Sequence, residues 1–124
     1  MLTEENNLYH KSFVFAVQIV KLYRYLIENK KEYVLSKQLL RSGTSVGANI
    51  AEANGAISKA DFSSKLSIAY KESLETKYWL SLLKETEYLD QQKFDSTYSD
   101  IDELCKILFS VLRTTRINPK QSDK

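Results

Sequence analysis

The sequence predicts an all-α protein folded as an antiparallel up-down-up-down four-helix bundle. Three observations predict it. Only three glycines and one proline occur in 124 residues, and the proline is at position 119, so long helices with short turns are favoured over many short strands. Apolar residues recur at alternating spacings of three and four through four separate segments, the period of one helical face. The polar breaks between those segments span only a few residues, and short connections make consecutive helices antiparallel neighbours. At 43% hydrophobic residues, the chain can bury one core of ordinary size, so residues 1–124 are expected to form a single domain.

The first helix is expected over residues 6–29. Tyr9, Phe13, Ala16, Val20, Tyr23 and Ile27 form one apolar row, Phe15, Ile19, Leu22 and Leu26 form a second beside it, and together they make a wide apolar stripe. The second helix is expected over residues 33–53, with a core row of Leu35, Leu39, Ser42, Val46 and Asn49. Its middle is poor in helix formers, and each glycine there costs roughly 1 kcal/mol against alanine. Such a segment stays helical only if packing compensates. Gly43, Gly47 and Ala51 step by four along a neighbouring row, a small-residue pattern that lets another helix come close. Gly55 is expected to end this helix in the left-handed conformation.

The third helix is expected over residues 58–88, with Ser58 as its N-cap and Asp61 supporting the first turn. Phe62, Leu66, Ala69, Ser73, Thr76, Leu80 and Leu83 form one row. Ile68, Glu72, Glu75, Trp79, Leu82 and Leu89 form another, about 120° away at 100° per residue. A helix apolar on two arcs is covered on more than one side, and in so short a chain the second cover can be another subunit. The fourth helix is expected over residues 92–116, with Phe94, Tyr98, Ile101, Cys105, Leu108 and Leu112 in its core row. The tail over residues 118–124 is polar, follows the proline, and is expected to fray.

Composition excludes several classes. The single Cys105 allows no internal disulfide and fits a reducing cytosol, so a cytoplasmic location is expected. No apolar run approaches the roughly 18 residues of a membrane span, and the acidic, polar N-terminus is not that of a signal peptide. The net charge of +2 is modest but unevenly spread. Residues 1–84 hold 12 basic and 8 acidic side chains, residues 85–105 hold one and seven, and residues 106–124 hold five and one. Separated fields of this kind steer charged partners or dock one subunit on another.

The run Gln38-Leu39-Leu40-Arg41-Ser42, followed by Ser45-Val46-Gly47-Ala48-Asn49-Ile50-Ala51-Glu52, resembles the signature of the bacterial four-helix-bundle proteins called 23S rRNA intervening-sequence proteins. Ser58-Lys59-Ala60-Asp61-Phe62 and the stretch from Leu66 to Thr76 extend the resemblance, which spans roughly residues 8 to 115. The chain departs from it at Ala53-Asn54-Gly55-Ala56-Ile57, where relatives commonly carry a glycine directly after the glutamate and basic residues further on. The resemblance implies a protein whose molecular role is poorly defined. A related branch, the accessory proteins of diversity-generating retroelements, forms a pentameric barrel, binds nucleic acid and contacts a reverse transcriptase. By that analogy this chain is expected to be a homopentamer.

The candidate nucleic-acid contacts are Lys30, Lys31, Lys37 and Arg41 around the first turn and second helix, and Arg113, Arg116 and Lys120 at the end of the fourth helix. Antiparallel topology puts these two basic patches at opposite ends of the bundle. Contacts of this kind go to RNA or DNA phosphates. The competing expectation is a protein-binding adaptor using the acidic segment 85–103 and the second arc of the third helix. Asn49, Glu52, Glu72 and Glu75 are read as structural polar groups, the glutamates accepting hydrogen bonds from Asn49, Ser42 or a tyrosine. Arg41 is left either as an ion-pair partner of Glu52 across a subunit contact or as a free cation.

No enzyme is expected. A di-iron bundle needs Glu-x-x-His pairs, and the only histidine, His10, follows no such glutamate, so neither a metal nor a cofactor is implied. The Gly43 to Gly47 spacing is not that of a phosphate-binding P-loop. Cys105 lies in a core row, as a packed thiol does. The eight tyrosines and Trp79 are read as core or subunit interface ahead of base-stacking platforms.

Overall fold

The computed structural model describes residues 4–117, with side chains described over residues 7–115. Four helices follow in chain order: α1 (Glu4–Glu28), α2 (Leu35–Asn54), α3 (Lys59–Glu85) and α4 (Gln91–Leu112), closed by a π-helical turn at Arg113–Ile117. Consecutive helices pack on one another, and α4 returns to α1. The helices therefore stand at the corners of a square, with α1 diagonal to α3 and α2 diagonal to α4. The four-helix bundle expected from the sequence is the fold.

The helix ends follow local chemistry. The carboxylate of Glu32 accepts the backbone N–H groups of Val34, Leu35 and Ser36 at 3.2, 3.0 and 2.6 Å, and the Ser36 hydroxyl donates back to the Glu32 carbonyl at 2.7 Å. This side chain caps α2, which starts at Leu35 rather than at residue 33. At α3, the Asp61 N–H donates to Ser58 Oγ at 3.0 Å, so Ser58 caps the helix, while the Asp61 carboxylate accepts the N–H of Ile57, the residue before the cap, at 3.3 Å. Asp90 caps α4 by accepting the Lys93 N–H at 2.8 Å. Two expectations fail at the C-terminal ends. Gly55 has φ −102° and is not left-handed. Helix α3 stops at Glu85, because Glu87 turns to φ 70° and the Tyr88 and Leu89 N–H groups return to the Leu83 carbonyl. Leu89 then enters the core from the connection, not from the helix.

The core settles which of the two α1 rows faces inward. Leu8, Ser12, Phe15, Ile19, Leu22 and Leu26 are buried, so the second row is the core face. The row led by Tyr9 and Phe13 is half-exposed or exposed. Two arcs with the same period are indistinguishable by spacing, and packing decides between them. On α3 the row Leu66, Ala69, Ser73, Thr76, Leu80 and Leu83 is buried as expected, with Phe62 half-buried; in the other row Ile68 is exposed, Glu72, Glu75, Trp79 and Leu82 are half-buried, and only Leu89, in the connection, is buried.

The small residues of α2 work on two sides. A Cβ added at Gly43 would lie 2.9 Å from Ile19, and one added at Gly47 would lie 3.3 Å from Ser12 Oγ, so both glycines are pressed against α1. Ala51, expected to extend this row, is exposed. On the other side, the buried Thr76 hydroxyl of α3 donates to Ser42 Oγ of α2 at 3.0 Å. Asn49 is only half-buried and donates to the Ser45 carbonyl at 2.9 Å, so it serves its own helix.

Candidate nucleic-acid interface

Antiparallel packing brings the end of α1 and the start of α2 to one tip of the bundle, together with the end of α3 and the start of α4. Lys30, Lys31 and Lys37 are exposed on the α1–α2 half of this tip and form no ion pair among the described residues. The nearest acid in sequence, Glu32, is 8% exposed and is spent on the amides that open α2. The lysines of the α1–α2 half therefore keep their charge from Glu32, while Glu28 beside them and Glu85, Glu87 and Asp90 on the α3–α4 half of the same tip are exposed acids. Lys31 sits at φ 55° in the turn. Lys21 and Arg24, which no motif marks in the sequence, are exposed on α1 just before the tip and are likewise unpaired among the described residues.

Arg41 is placed differently. Its guanidinium pairs with Glu72 of α3 at 3.3 Å and with Glu75, whose carboxylate also accepts the Trp79 indole N–H at 2.9 Å. The Glu75 hydrogen bond holds Arg41 above its ordinary value, and the Trp79 and Arg41 hydrogen bonds hold Glu75 below the usual carboxylate range. Glu52 pairs with Lys65 at 3.3 Å, not with Arg41. The glutamates are thus partnered by cations and an indole on a half-exposed α2–α3 seam, rather than by Asn49 or Ser42 in the interior. A separation of 31 residues between Arg41 and Glu72 leaves no local signal for this pairing.

At the opposite tip, the Arg113 guanidinium lies over the Phe109 ring, 5.9 Å from its centroid. The Arg116 side chain and Lys120 fall outside the described residues. The same tip holds a cleft of about 590 Å³ between the start of α1 and the end of α4, with Phe62 of α3 in its wall. Its two lysines are already neutralised, Lys11 by Glu103 at 3.2 Å and Lys106 by Asp102 at 3.1 Å. Asp102 also takes Lys77 at 2.8 Å; the Lys77 and Lys106 hydrogen bonds hold it below the usual carboxylate range, and Asp102 in turn raises Lys77. The acidic segment is therefore partly paired within the bundle.

Cys105 is buried, and exposed His10 borders a groove with Asp100 and Glu103. Among the described residues no three His, Cys, Asp or Glu side chains are grouped to hold a metal. No helix among them is long and apolar enough to cross a membrane.

The geometry defines an all-helical bundle whose α1–α2 turn exposes unpaired lysines at one tip, across from the exposed acids Glu85, Glu87 and Asp90 of the α3–α4 turn. By the match of its residues 4–110 to the family model, the chain belongs to the 23S rRNA-intervening sequence proteins. It is also similar to a crystal structure of a protein with unknown function from the S23 ribosomal protein family of Bacteroides thetaiotaomicron, at 50% identity and a TM-score of 0.88, covering 90% of this chain and 99% of that one. Comparison with curated proteins gives no match.

Proposed function

We propose that this protein is a non-catalytic oligomeric scaffold of the cytoplasm that binds RNA or DNA phosphates through the α1–α2 tip. The observation that supports this reading is the exposed trio Lys30, Lys31 and Lys37, which forms no ion pair among the described residues and lies beside a glutamate committed to capping. Several cations elsewhere on the bundle are held by acids. Unpaired ammonium groups release counterions from a phosphate backbone on binding; paired ones must first break their own contacts. Self-association repeats the trio around an assembly, and family resemblance sets the expected number of copies at five. Multiplying a weak phosphate contact raises avidity without new chemistry.

The test is a titration of fluorescently labelled single-stranded RNA and duplex DNA with the pure protein at low salt, read by anisotropy. Binding that weakens steeply as salt rises is expected. Absence of binding to either at low salt overturns the reading and leaves the adaptor, working through the acidic segment that follows α3.

A further inference from the structure

We infer that the α1–α2 tip is a site for a single polynucleotide strand, with one unpaired base stacked on the Tyr33 ring and the neighbouring phosphates meeting Lys30, Lys31 and Lys37. The inference rests on the phosphate contacts proposed above and names the form of nucleic acid that makes them. Five Phe and Tyr rings are exposed among the described residues. Four are already engaged: Tyr9 and Phe13 lie against each other, Tyr78 against Trp79, and Phe109 against Tyr70 and the Arg113 guanidinium. Tyr33, 54% exposed, is the exception; its side chain has no ring, cation or hydrogen-bond partner among the described residues. Its place in the chain is also fixed. The Glu32 N–H just before it donates to the Leu26 carbonyl at 3.0 Å, and the Glu32 carboxylate holds the three amides just after it. Those amides are spent, so phosphates are left to the lysines. A ring carried on an anchored turn loses little freedom when a flat partner covers it. Every base offers such a face, and an aromatic ring flanked by cations takes single strands without regard to sequence.

The charges around the tip favour one strand over two. On the α3–α4 half, Glu85, Glu87, Asp90 and Asp95 are exposed. The cations among them, Lys84 and Lys93, are half-buried over the Phe94 and Tyr25 rings, 5.4 and 4.7 Å from the centroids. On α1 the exposed Glu28 separates the lysine trio from Lys21 and Arg24 lower on the helix. The basic surface is therefore small and bounded by acids on two sides. A duplex carries its two backbones across grooves about 6 and 12 Å wide. Packed helix axes are only about 8–10 Å apart, so a duplex seated on the lysines brings its second backbone toward the acids of the facing turn. A flat anionic lipid surface meets the same repulsion. A single strand is narrow enough to stay on the α1–α2 half. It also has unstacked bases to offer, whereas the bases of a duplex are already stacked on one another.

The experiment titrates wild type, Tyr33→Ala and Tyr33→Phe at low salt against labelled oligouridine, oligothymidine, an abasic strand of the same length and a duplex, read by anisotropy. Circular dichroism with thermal melting verifies that both variants keep the wild-type fold. The wild type should bind a base-bearing single strand more tightly than the abasic strand or the duplex. Tyr33→Ala should weaken binding to the base-bearing strand by about 5- to 150-fold, the worth of one stacked base, and leave the salt slope and the abasic affinity unchanged. Tyr33→Phe should retain wild-type affinity, because stacking needs the ring and not the hydroxyl. The uridine and thymidine arms tell RNA from DNA, and tighter binding to either strand fits the site. Wild-type affinity in Tyr33→Ala, equal binding of the abasic strand, or a duplex bound as tightly as a single strand overturns the stacking site while leaving the lysine contacts standing. No binding to any of the four overturns both, and co-sedimentation with phosphatidylglycerol vesicles in that case assigns the tip to a membrane surface.

Discussion

The α2–α3 seam and the α1–α2 tip use the same side-chain chemistry to opposite ends. On the seam, Arg41 lies between Glu72 and Glu75, and Lys65 faces Glu52. At the tip, Lys30, Lys31 and Lys37 face water, and Glu32, the acid among them, is turned inward onto the start of α2. The lesson is that a count of basic residues says little about binding. What matters is whether the fold has already supplied a carboxylate. A paired guanidinium joins two helices, while an unpaired ammonium is available to a phosphate.

Breaking the tip has the largest expected effect. The triple change Lys30→Glu, Lys31→Glu and Lys37→Glu should weaken RNA or DNA binding by about 100-fold or more at low salt, because three phosphate contacts become repulsions. The melting temperature should barely move, since none of the three is buried or paired. Next in size is a change behind the tip, where α2 meets α1. Gly47→Leu should destabilise by about 1–3 kcal/mol or more, as overpacking against Ser12 forces the helices apart. Thermal or urea unfolding measures it, and unchanged stability would mean that this position faces water. On the seam, Arg41→Met should cost about 1 kcal/mol or less, the scale of partly exposed ion pairs, and leave nucleic-acid affinity near the wild-type value. Equal losses of affinity from Arg41→Met and from a single tip lysine would erase the contrast between the two regions.

The smallest expected effect is in acid. Glu75 and Asp102 are held below their ordinary values by their hydrogen-bond donors. A carboxyl group depressed in the folded state contributes stability above its unfolded pKa and loses it as pH falls through the folded one. Stability from these groups should thus be present above about pH 5 and decline below about pH 4. Glu75→Gln and Asp102→Asn should flatten that decline slightly, because both sites are solvated enough to be screened.

The fold was legible because alternating spacings of three and four need only local sequence. The same signal could not say which of two arcs on α1 faces inward. Tyr9 and Phe13 are as periodic as Phe15 and Ile19, and the difference lies in the partner: the small strip at Gly43 and Gly47 receives Ile19 and Ser12. Ser58 was legible as a cap because its side chain acts three residues away. Glu32 was not, since a long acidic side chain in a polar turn looks like surface until its three amides are in place. The basic patches were legible as charge. Their division into paired and free cations was not, because Arg41 meets its acids only after α3 folds back along α2.

The account stands most directly on the salt dependence of nucleic-acid binding compared between the wild type and the triple tip variant. Plotting log affinity against log salt, each phosphate contact contributes a slope of about −0.9 on duplex DNA. The variant is predicted to lose about three contacts' worth of slope while keeping its helix content and melting temperature. A variant with the wild-type slope would contradict the account, because the charge that meets the phosphates would then lie elsewhere on the bundle.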